Sequence, residues 1–316
     1  MKHVGLFAMF ILLTLTLSLN RAYATTITVG SNPFGVAFDS HKNEVFVTNY
    51  GSGTGSGTVS VISDATTLLT ATITVGNGPE GVAFDSHLNE VFVANFGSGT
   101  VSVIPDATNM VIATIPVDNL PSGVAFDSHL NEVFVANAGS GMVSVISDAT
   151  NTVTATIPVG NGPYGVAFDS HLNEVFVANL YSASVSVISD ATNEVTETII
   201  VGHFPVGVAF DYTKDEAFVA NSGSASVSVI SPATYMVTAT ITVGSYPYGV
   251  AFDSHLNEVF VANSGSGTVS VIPDATNTVT ATIPVGNGAV GVAFDSHLNE
   301  VFVANFWDDT VSVIPS

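Results

Sequence analysis

One fifteen-residue segment recurs along this chain of 316 residues and restricts the folds that the chain can adopt. Between Gly81 and Asn95 it reads GVAFDSHLNEVFVAN. Identical copies begin at Gly123, Gly165, Gly249 and Gly291, and looser copies begin at Gly35 and Gly207. The copies are 42 residues apart, except for a first step of 46 that contains a doubled GSGT. The chain therefore repeats one structural unit seven times.

Each repeat contains four short runs of alternating apolar and polar residues, separated by turns rich in Asp, Asn, Gly, Ser and Pro. In the second repeat we name these runs strands A to D: Gly81 to Phe84, Glu90 to Ala94, Thr100 to Ile104 and Val111 to Val117. Such runs predict one four-stranded antiparallel sheet per repeat. Strand-rich repeats of about 40 to 45 residues are typical of propeller blades. We predict an all-β fold, a seven-bladed β-propeller.

The two ends of the repeat region complement each other. Residues 25–30 read TTITVG, a copy of strand D without a blade before it, whereas the last repeat ends at strand C, Thr310 to Ile314. We predict that the N-terminal strand completes the seventh blade and closes the ring, which leaves no exposed edge between blades. An open solenoid is the alternative. The predicted propeller domain spans residues 25–316.

The first residues have the features of an export signal. Lys2 precedes an apolar run from Val4 to Leu19, and a small-x-small motif ends at Ala24. This order predicts a signal peptide over residues 1–24, with an uncleaved anchor as the alternative. The run is short for a membrane span, so we expect no transmembrane segment after cleavage. The predicted location is secreted or associated with the cell surface.

The repeat resembles the YVTN family of β-propeller repeats, which includes YncE-like proteins. Three features carry the resemblance: Phe46-Val-Thr-Asn49, Thr58-Val-Ser-Val-Ile62, and the pattern TxTIxVGxxPxGVAFD from Thr70 onward. It covers residues 25–316, although most later copies read FVAN instead of YVTN. The resemblance implies an extracellular, surface-layer-associated propeller without a common catalytic function.

The charge balance excludes several classes of function. The chain has four Lys and Arg residues and 26 Asp and Glu residues, for a net charge of −22. Of the four basic residues, only Lys42 and Lys214 follow the predicted signal peptide. Binding to nucleic acid requires clustered cations, so neither nucleic acid nor an anionic membrane is an expected partner. Cysteine is absent, which excludes disulfides, a thiol nucleophile and Cys-ligated metals.

Fourteen of the 20 phenylalanines recur at two fixed positions of the repeat. One set ends strand A: Phe38, Phe84, Phe126, Phe168, Phe210, Phe252 and Phe294. The other lies in strand B: Phe46, Phe92, Phe134, Phe176, Phe218, Phe260 and Phe302. We predict that both sets are buried between neighbouring blades, where aromatic side chains contribute most to a core.

Twelve further aromatic residues after residue 24 break the repetition, and ten of them lie in the D-to-A and B-to-C loops. These ten are Phe34, Tyr50, Phe96, Tyr164, Tyr181, Phe204, Tyr246, Tyr248, Phe306 and Trp307. Because strands alternate in direction, both loop types emerge at the same end of a propeller. We predict that these residues form a ligand-binding face for an extracellular protein, peptide or glycan, since exposed aromatic side chains favour such contacts.

The opposite end contains the A-to-B and C-to-D turns, with 19 recurring Asp and Glu residues. We predict an acidic face there, on which divalent cations and self-association in a surface coat are conceivable. Six recurring histidines lie in the same turns: His41, His87, His129, His171, His255 and His297. We predict that they are solvent-exposed and too widely spread for a shared metal site. The Asp and Asn of these turns are predicted to brace the hairpin.

A catalytic function is the main alternative to a binding module. Propeller hydrolases or lyases of the lactonase or streptogramin-lyase type place polar residues at the channel mouth. The only candidate catalytic residue is His203, the one non-recurring histidine after residue 24, and the sequence offers it no partner. We predict a non-catalytic binding module without a cofactor. A structural coat protein is a third hypothesis.

Overall fold

The computed structural model describes residues 24–51 and 55–316. Within these residues the strands form seven separate four-stranded antiparallel sheets, which confirms the predicted propeller. Strand β1 (Thr25–Thr28) precedes the first blade. The first three blades contain β2 (Pro33–Asp39), β3 (Glu44–Asn49), β4 (Thr58–Ser63), β5 (Leu68–Thr74); β6 (Pro79–Asp85), β7 (Glu90–Asn95), β8 (Thr100–Pro105), β9 (Ala113–Pro116); and β10 (Pro121–Asp127), β11 (Glu132–Asn137), β12 (Met142–Ser147), β13 (Thr152–Pro158).

The remaining four blades repeat the same order of strands A to D. They contain β14 (Pro163–Asp169), β15 (Glu174–Asn179), β16 (Ser184–Ser189), β17 (Glu194–Ile200); β18 (Pro205–Asp211), β19 (Glu216–Asn221), β20 (Ser226–Ser231), β21 (Met236–Thr242); β22 (Pro247–Asp253), β23 (Glu258–Asn263), β24 (Thr268–Pro273), β25 (Ala281–Pro284); and β26 (Ala289–Asp295), β27 (Glu300–Asn305), β28 (Thr310–Pro315). A short 3₁₀ helix, Ser222–Ser224, follows β19.

The N-terminal strand closes the ring, as predicted. Strand β1 pairs antiparallel with β28, so that Thr25 lies opposite Val313 and Thr28 opposite Thr310. Ile27 is 8% exposed and packs into a cluster with residues of the first and last blades. The seventh sheet therefore combines residues from both ends of the described chain.

The core lies between neighbouring blades. The seven strand-B phenylalanines are 0 to 1% exposed, as predicted. Phe92, for example, packs with Val101 of its own blade and with Val133 of the next. The prediction of burial is wrong for the strand-A phenylalanines, which are only partly buried and pack against the margin of each cluster. Strand A borders the central channel, where no further strand covers it.

The strand-A segments contact one another all the way round the central channel. The Pro-x-Gly motif at the start of strand A explains how they come so close. A Cβ atom on its glycine would overlap the backbone carbonyl oxygen of residue x in the next blade. This holds for seven positions: Gly35, Gly81, Gly123, Gly165, Gly207, Gly249 and Gly291. The glycine is needed for close backbone approach, and the contact from Gly291 to Phe34 completes the circle.

The side chain of the Asn that ends strand B hydrogen-bonds to strand C. In the second blade, the Nδ2 atom of Asn95 donates to the Oγ atom of Ser102 at 3.0 Å. Equivalent bonds of 2.9 to 3.0 Å link Asn49 to Ser60 and Asn305 to Ser312. These side chains are buried, so each bond satisfies polar groups inside the sheet. The final Asn of the FVAN motif is therefore a structural residue.

The A-to-B turns are braced as predicted. Asp85 Oδ1 accepts hydrogen bonds from the backbone N–H groups of His87, at 2.7 Å, and Leu88, at 3.2 Å. The predicted acidic face is wrong in one respect, because these carboxylates point inward. The seven Asp residues that end strand A are 0% exposed, and the five Asp residues of the C-to-D turns are 2 to 6% exposed. The carboxylates that end strand A accept backbone N–H groups of their turns, which offsets part of the cost of burial.

The recurring histidines are not merely exposed turn residues. The side chain of His87 is half exposed, yet its Nδ1 atom lies 2.7 Å from Asp148 Oδ2 in the next blade. Three further pairs repeat this contact at 2.6 to 2.7 Å: His41 with Asp106, His129 with Asp190, and His297 with Asp64. The last pair joins the seventh blade to the first. These pairs connect blades and do not converge on a shared site.

Three blades depart from the pattern of histidine pairs, and the fifth has Thr213 in place of the histidine. The position that would pair with His171 is Pro232, and His171 pairs with Asp215 of the next A-to-B turn instead. The position that would pair with His255 is Ser316. Within residues 24–51 and 55–316, no group of three or more His, Asp or Glu side chains could hold a metal ion. The divalent cation at this end stays a prediction.

The predicted signal peptide lies outside the described residues, apart from Ala24. The doubled GSGT segment is also only partly described, because residues 52–54 fall outside the described ranges. Among the residues that are described, no helix is long and apolar enough to cross a membrane.

Candidate functional site at the aromatic end of the channel

The D-to-A and B-to-C loops lie at the same end of each blade, as predicted, and bond to each other. In the first blade, the backbone N–H of Tyr50 donates to the carbonyl of Asn32 at 2.9 Å. In the fifth, the N–H of Ser222 donates to the carbonyl of Phe204 at 2.9 Å. The same contact is present in all seven blades. We name this end of the propeller the aromatic face.

One residue of each blade forms an inner ring around the channel mouth. It is residue x of the Pro-x-Gly motif, or the corresponding Val290 in the seventh blade, and it varies between blades. The inner ring consists of Phe34, Glu80, Ser122, Tyr164, Val206, Tyr248 and Val290. All but Glu80 border a cavity of about 150 Å³ inside the channel, whose other walls are glycines and valines of strand A. The repeat thus supplies an apolar channel with a variable mouth.

A hydrogen-bonded chain crosses this mouth. The hydroxyl of Tyr164, from the fourth blade, donates to Glu80 Oε2 of the second blade at 2.9 Å. The hydroxyl of Tyr248, from the sixth blade, donates in turn to the Tyr164 hydroxyl oxygen. The rings of the two tyrosines meet edge to face, with centroids 5.8 Å apart. Phe34 packs edge to face on Tyr248 at 5.5 Å. These side chains close the aromatic end of the channel.

The Glu80 side chain is 5% exposed and has no lysine or arginine partner among the described residues. Burial raises the pKa of its carboxyl to about 8, against the opposing effect of the hydrogen bond from Tyr164. Burial also raises the pKa of the Tyr164 and Tyr248 hydroxyls. A perturbed carboxyl at the mouth of a channel is typical of a functional site.

The backbone of Glu80 is held by a residue that only the first blade contains. Thr48 Oγ1 donates to the Glu80 carbonyl oxygen at 2.7 Å and accepts a bond of 2.8 Å from the N–H of Gly35. The other six blades have alanine at the position of Thr48. The one threonine of this series therefore hydrogen-bonds to the backbone of the one inner-ring residue that has a carboxyl side chain.

An outer ring of bulky side chains surrounds the mouth. Five blades each present one: Leu120, Tyr181, Phe204, Tyr246 and Trp307, which are 41 to 70% exposed. In each blade the bulky residue lies over a glycine of the partner loop, so that only one of the two loops supplies it. In the fourth blade Tyr181 covers Gly162, whereas in the fifth Phe204 covers Gly223. Either loop can thus place an exposed apolar group at one equivalent position.

Three members of the outer ring have an unusual backbone conformation. Leu120, Phe204 and Tyr246 have φ angles of 55°, 52° and 50°. The second, fourth and seventh blades have glycine at this position, with φ of 58°, 62° and 70°. A left-handed conformation costs a bulky residue about 1 to 2 kcal/mol, a cost that glycine avoids. Strain of this kind is concentrated at functional sites in proteins.

A second pocket of about 260 Å³ lies on the aromatic face, beside the inner ring. We name it the cage pocket; its walls are Tyr164, Leu180, Tyr181, Phe204, Val206, Ser222 and Tyr248. The Tyr181 and Phe204 rings are nearly perpendicular, with centroids 6.5 Å apart. The cage pocket is thus bordered by four aromatic rings in two edge-to-face pairs, over the hydrogen-bonded chain that leads to Glu80.

The structure brings most of the predicted ligand-binding residues together, in three groups. Phe34, Tyr164 and Tyr248 close the channel, and Tyr181 and Phe204 border the cage pocket. Phe306 connects Phe34 to Trp307, with ring centroids 6.0 and 4.6 Å apart, and Tyr50 packs at 6.4 Å from Phe306. Tyr246 stands alone in the outer ring, and Phe96 contacts none of the other aromatic rings.

Sequence reasoning did not identify Glu80 as a site residue, although it occupies a position that differs between most blades. His203, the candidate catalytic residue, is exposed, and its backbone N–H donates to Ser224 Oγ at 2.8 Å. Within the described part of the chain, its imidazole has no hydrogen bond or ion pair with a side chain. The arrangement therefore offers His203 no oriented acid or nucleophile, and its role stays a prediction.

Comparison with known proteins supports the fold and leaves the family open. No family model and no curated protein matches the sequence. Among solved structures, the chain is similar to Kuenenia stuttgartiensis hydrazine synthase, with a TM-score of 0.79 and 19% sequence identity over 90% of this chain and 96% of that one. An identity this low shows the fold alone. The seven-bladed β-propeller is confirmed, whereas the YVTN family stays a prediction.

Proposed function

We propose that this chain is a secreted or cell-surface, non-catalytic binding module, whose ligand surface is the aromatic face. The observation that carries the proposal is the outer ring of five exposed, bulky side chains around the channel mouth. Each stands where its partner loop has a glycine, and three have a strained backbone. Exposed aromatic groups clustered at one end mark interaction sites.

The chemistry of this face favours an extracellular protein, peptide or glycan as the ligand. Aromatic rings contact the apolar faces of sugars and side chains, and Tyr and Trp combine a large contact area with a hydrogen-bonding group. The described part of the aromatic face contains no lysine, so anionic ligands are disfavoured.

The proposal is tested by screening immobilised glycans and peptides with the wild-type protein and two double variants. Trp307→Ala with Tyr246→Ala removes two members of the outer ring, and we expect it to weaken binding about tenfold or more. Leu88→Ala with Leu130→Ala is the matched control, since both leucines are 41 to 43% exposed at the opposite end. Equal loss in both variants, or no loss in the first, would contradict the proposal.

A further inference from the structure

The cage pocket has the features of a site for a positively charged group. Four aromatic rings border it, and each pair meets edge to face, with interplanar angles of 88° and 84°. The face of an aromatic ring attracts cations, so a pocket lined by four aromatic side chains suits a positively charged group. The pocket volume of about 260 Å³ exceeds the roughly 150 Å³ that a benzene-sized group requires.

The charge distribution favours a cation over a neutral ligand. The chain has a net charge of −22, and the two lysines of the described residues lie at the opposite end. There Lys42 Nζ bonds to the carbonyl of Asp106, and Lys214 Nζ to that of Asp274, each at 2.6 Å. No lysine thus competes for the cage pocket. A field of this sign concentrates cations at the surface.

A buried carboxyl lies within one hydrogen bond of the cage wall. The Tyr164 hydroxyl donates to Glu80, and a bond to a carboxylate increases the electron density of the phenol ring. Tyr248 extends the same chain. Above about pH 8, where the Glu80 carboxyl is ionised, a cation in the pocket would therefore interact with electron-rich rings and with a negative charge that has no lysine or arginine partner among the described residues.

We propose that the cage pocket binds an alkylammonium group, such as a methylated amine, and that Glu80 strengthens this binding through Tyr164. The inference rests on the proposed function, because it assigns a ligand class to part of the aromatic face. Glu80 does not border the pocket and acts as a positioning and electrostatic residue. The ammonium group anchors the ligand, and the outer ring contacts the remainder of it.

The test uses choline as the probe and, as a matched control, its uncharged analogue in which carbon replaces nitrogen. The two have nearly the same shape, so the difference in affinity measures the effect of charge. Calorimetry or chemical-shift titration of the whole protein should give a millimolar or tighter Kd for choline, and binding of the analogue at least about tenfold weaker. Equal affinities would overturn the proposal.

Two variants test separately the contribution of the Glu80 charge and that of an aromatic ring of the cage pocket. Glu80→Gln keeps an acceptor for the Tyr164 hydroxyl and removes only the charge that the carboxyl carries above about pH 8; at about pH 9 we expect choline affinity to fall about tenfold, equal to about 1.4 kcal/mol. Phe204→Leu removes one ring of the cage and should weaken binding about three- to tenfold. Circular dichroism checks that both variants fold. Unchanged affinity in folded Glu80→Gln would exclude the electrostatic role.

The pH profile gives a readout that a purely structural role of Glu80 would not change. Tyr164 and Tyr248 are the titratable groups that face Glu80, from β14 and β22, while β2 and β10 contribute Phe34 and Ser122, which do not titrate. Choline affinity should rise as the pH increases through about 8, where Glu80 ionises, and should be flat in Glu80→Gln. A flat profile in the wild type would contradict the proposal.

The outcomes distinguish this inference from the proposed function. If choline does not bind but a neutral glycan or peptide binds at the outer ring, the ammonium site is wrong and the binding module stands. If neither choline nor any member of the screen binds, both are wrong. Binding of choline that survives Phe204→Leu and Glu80→Gln together would place the cation elsewhere and also overturn the inference.

Discussion

At the scale of single residues, the recurring and the non-recurring side chains have different roles. The histidine, the carboxylates and the asparagine of each repeat look like catalytic groups, yet they bond within and between blades. The residues that vary at one position, Glu80, Tyr164 and Tyr248, meet over the channel although they come from three different blades. Variation at a fixed structural position is therefore the signal for the candidate site.

The histidine pairs provide a matched test at this scale. Asp148 raises the pKa of His87 through the hydrogen bond between their side chains, so the pair stabilises the folded state most at low pH. This stabilisation is fully present below the unfolded pKa of about 6.5 and is lost as the pH rises through the higher folded value. We expect His87→Ala to lower the Tm at pH 6 and to have less effect at pH 9.

The control for this prediction is His255→Ala, because the position that would pair with His255 is Ser316 of the seventh blade, where five of the seven blades have Asp. Its Tm should equal that of the wild type at both pH values. Equal losses of Tm in the two variants would show that the histidines contribute through packing or turn propensity instead of through the pairs.

At the scale of elements, strands A and B contain the same number of phenylalanines but do not bury them equally. Strand B lies inside each sheet, between strands A and C, and its phenylalanines are fully covered by two blades. Strand A lies beside the channel, and its glycines bring neighbouring backbones together instead of providing a packed side-chain layer. Position within the blade, and not residue type, decides the burial.

This difference predicts that a Phe→Ala substitution lowers the free energy of unfolding by different amounts in the two strands. Phe92→Ala in strand B should lower the free energy of unfolding by about 3 to 5 kcal/mol, because it leaves a cavity in a sealed core. Phe84→Ala in strand A should cost clearly less, since the side chain is already partly exposed. Denaturant unfolding of both variants measures the two values. Equal costs would contradict the inward position of strand A.

At the scale of the whole molecule, much of the architecture could be predicted from the sequence and part of it could not. The period of 42 residues predicts the blades, the copy of strand D at residues 25–30 predicts the closure of the ring, and strand alternation places the loops. The interblade histidine pairs and the Glu80 chain join residues 61 to 233 positions apart. The sequence of a single repeat does not indicate which residues it contacts in other blades, so these contacts could not be predicted.

The distribution of pKa values predicts how the stability of the whole molecule depends on pH. Burial raises the pKa of Glu80 to about 8 and raises that of carboxyls at the opposite end, such as Asp85 and Glu90. Raised values mean that the folded state binds more protons than the unfolded state, so the free energy of unfolding rises as the pH falls. Among the carboxyls of the described residues whose pKa is shifted, only that of the exposed Asp308 is lowered and opposes this trend.

We therefore expect the Tm to increase as the pH falls from about 8 toward about 4, where the unfolded carboxyls also become protonated. The decrease in net negative charge acts in the same direction. Differential scanning calorimetry across this range provides the measurement. A Tm that is highest at or above pH 8 would contradict the inferred burial of the carboxyls.

The central claim is that the repeats form a scaffold, and that the residues interrupting the repetition at the aromatic face form the ligand site. The most direct test is a crystal structure of the protein soaked with choline above its measured Kd. The account predicts electron density for choline in the cage pocket, between the rings of Tyr181 and Phe204 and above Tyr164. Density only at the histidine end, or within the recurring turns, would contradict it.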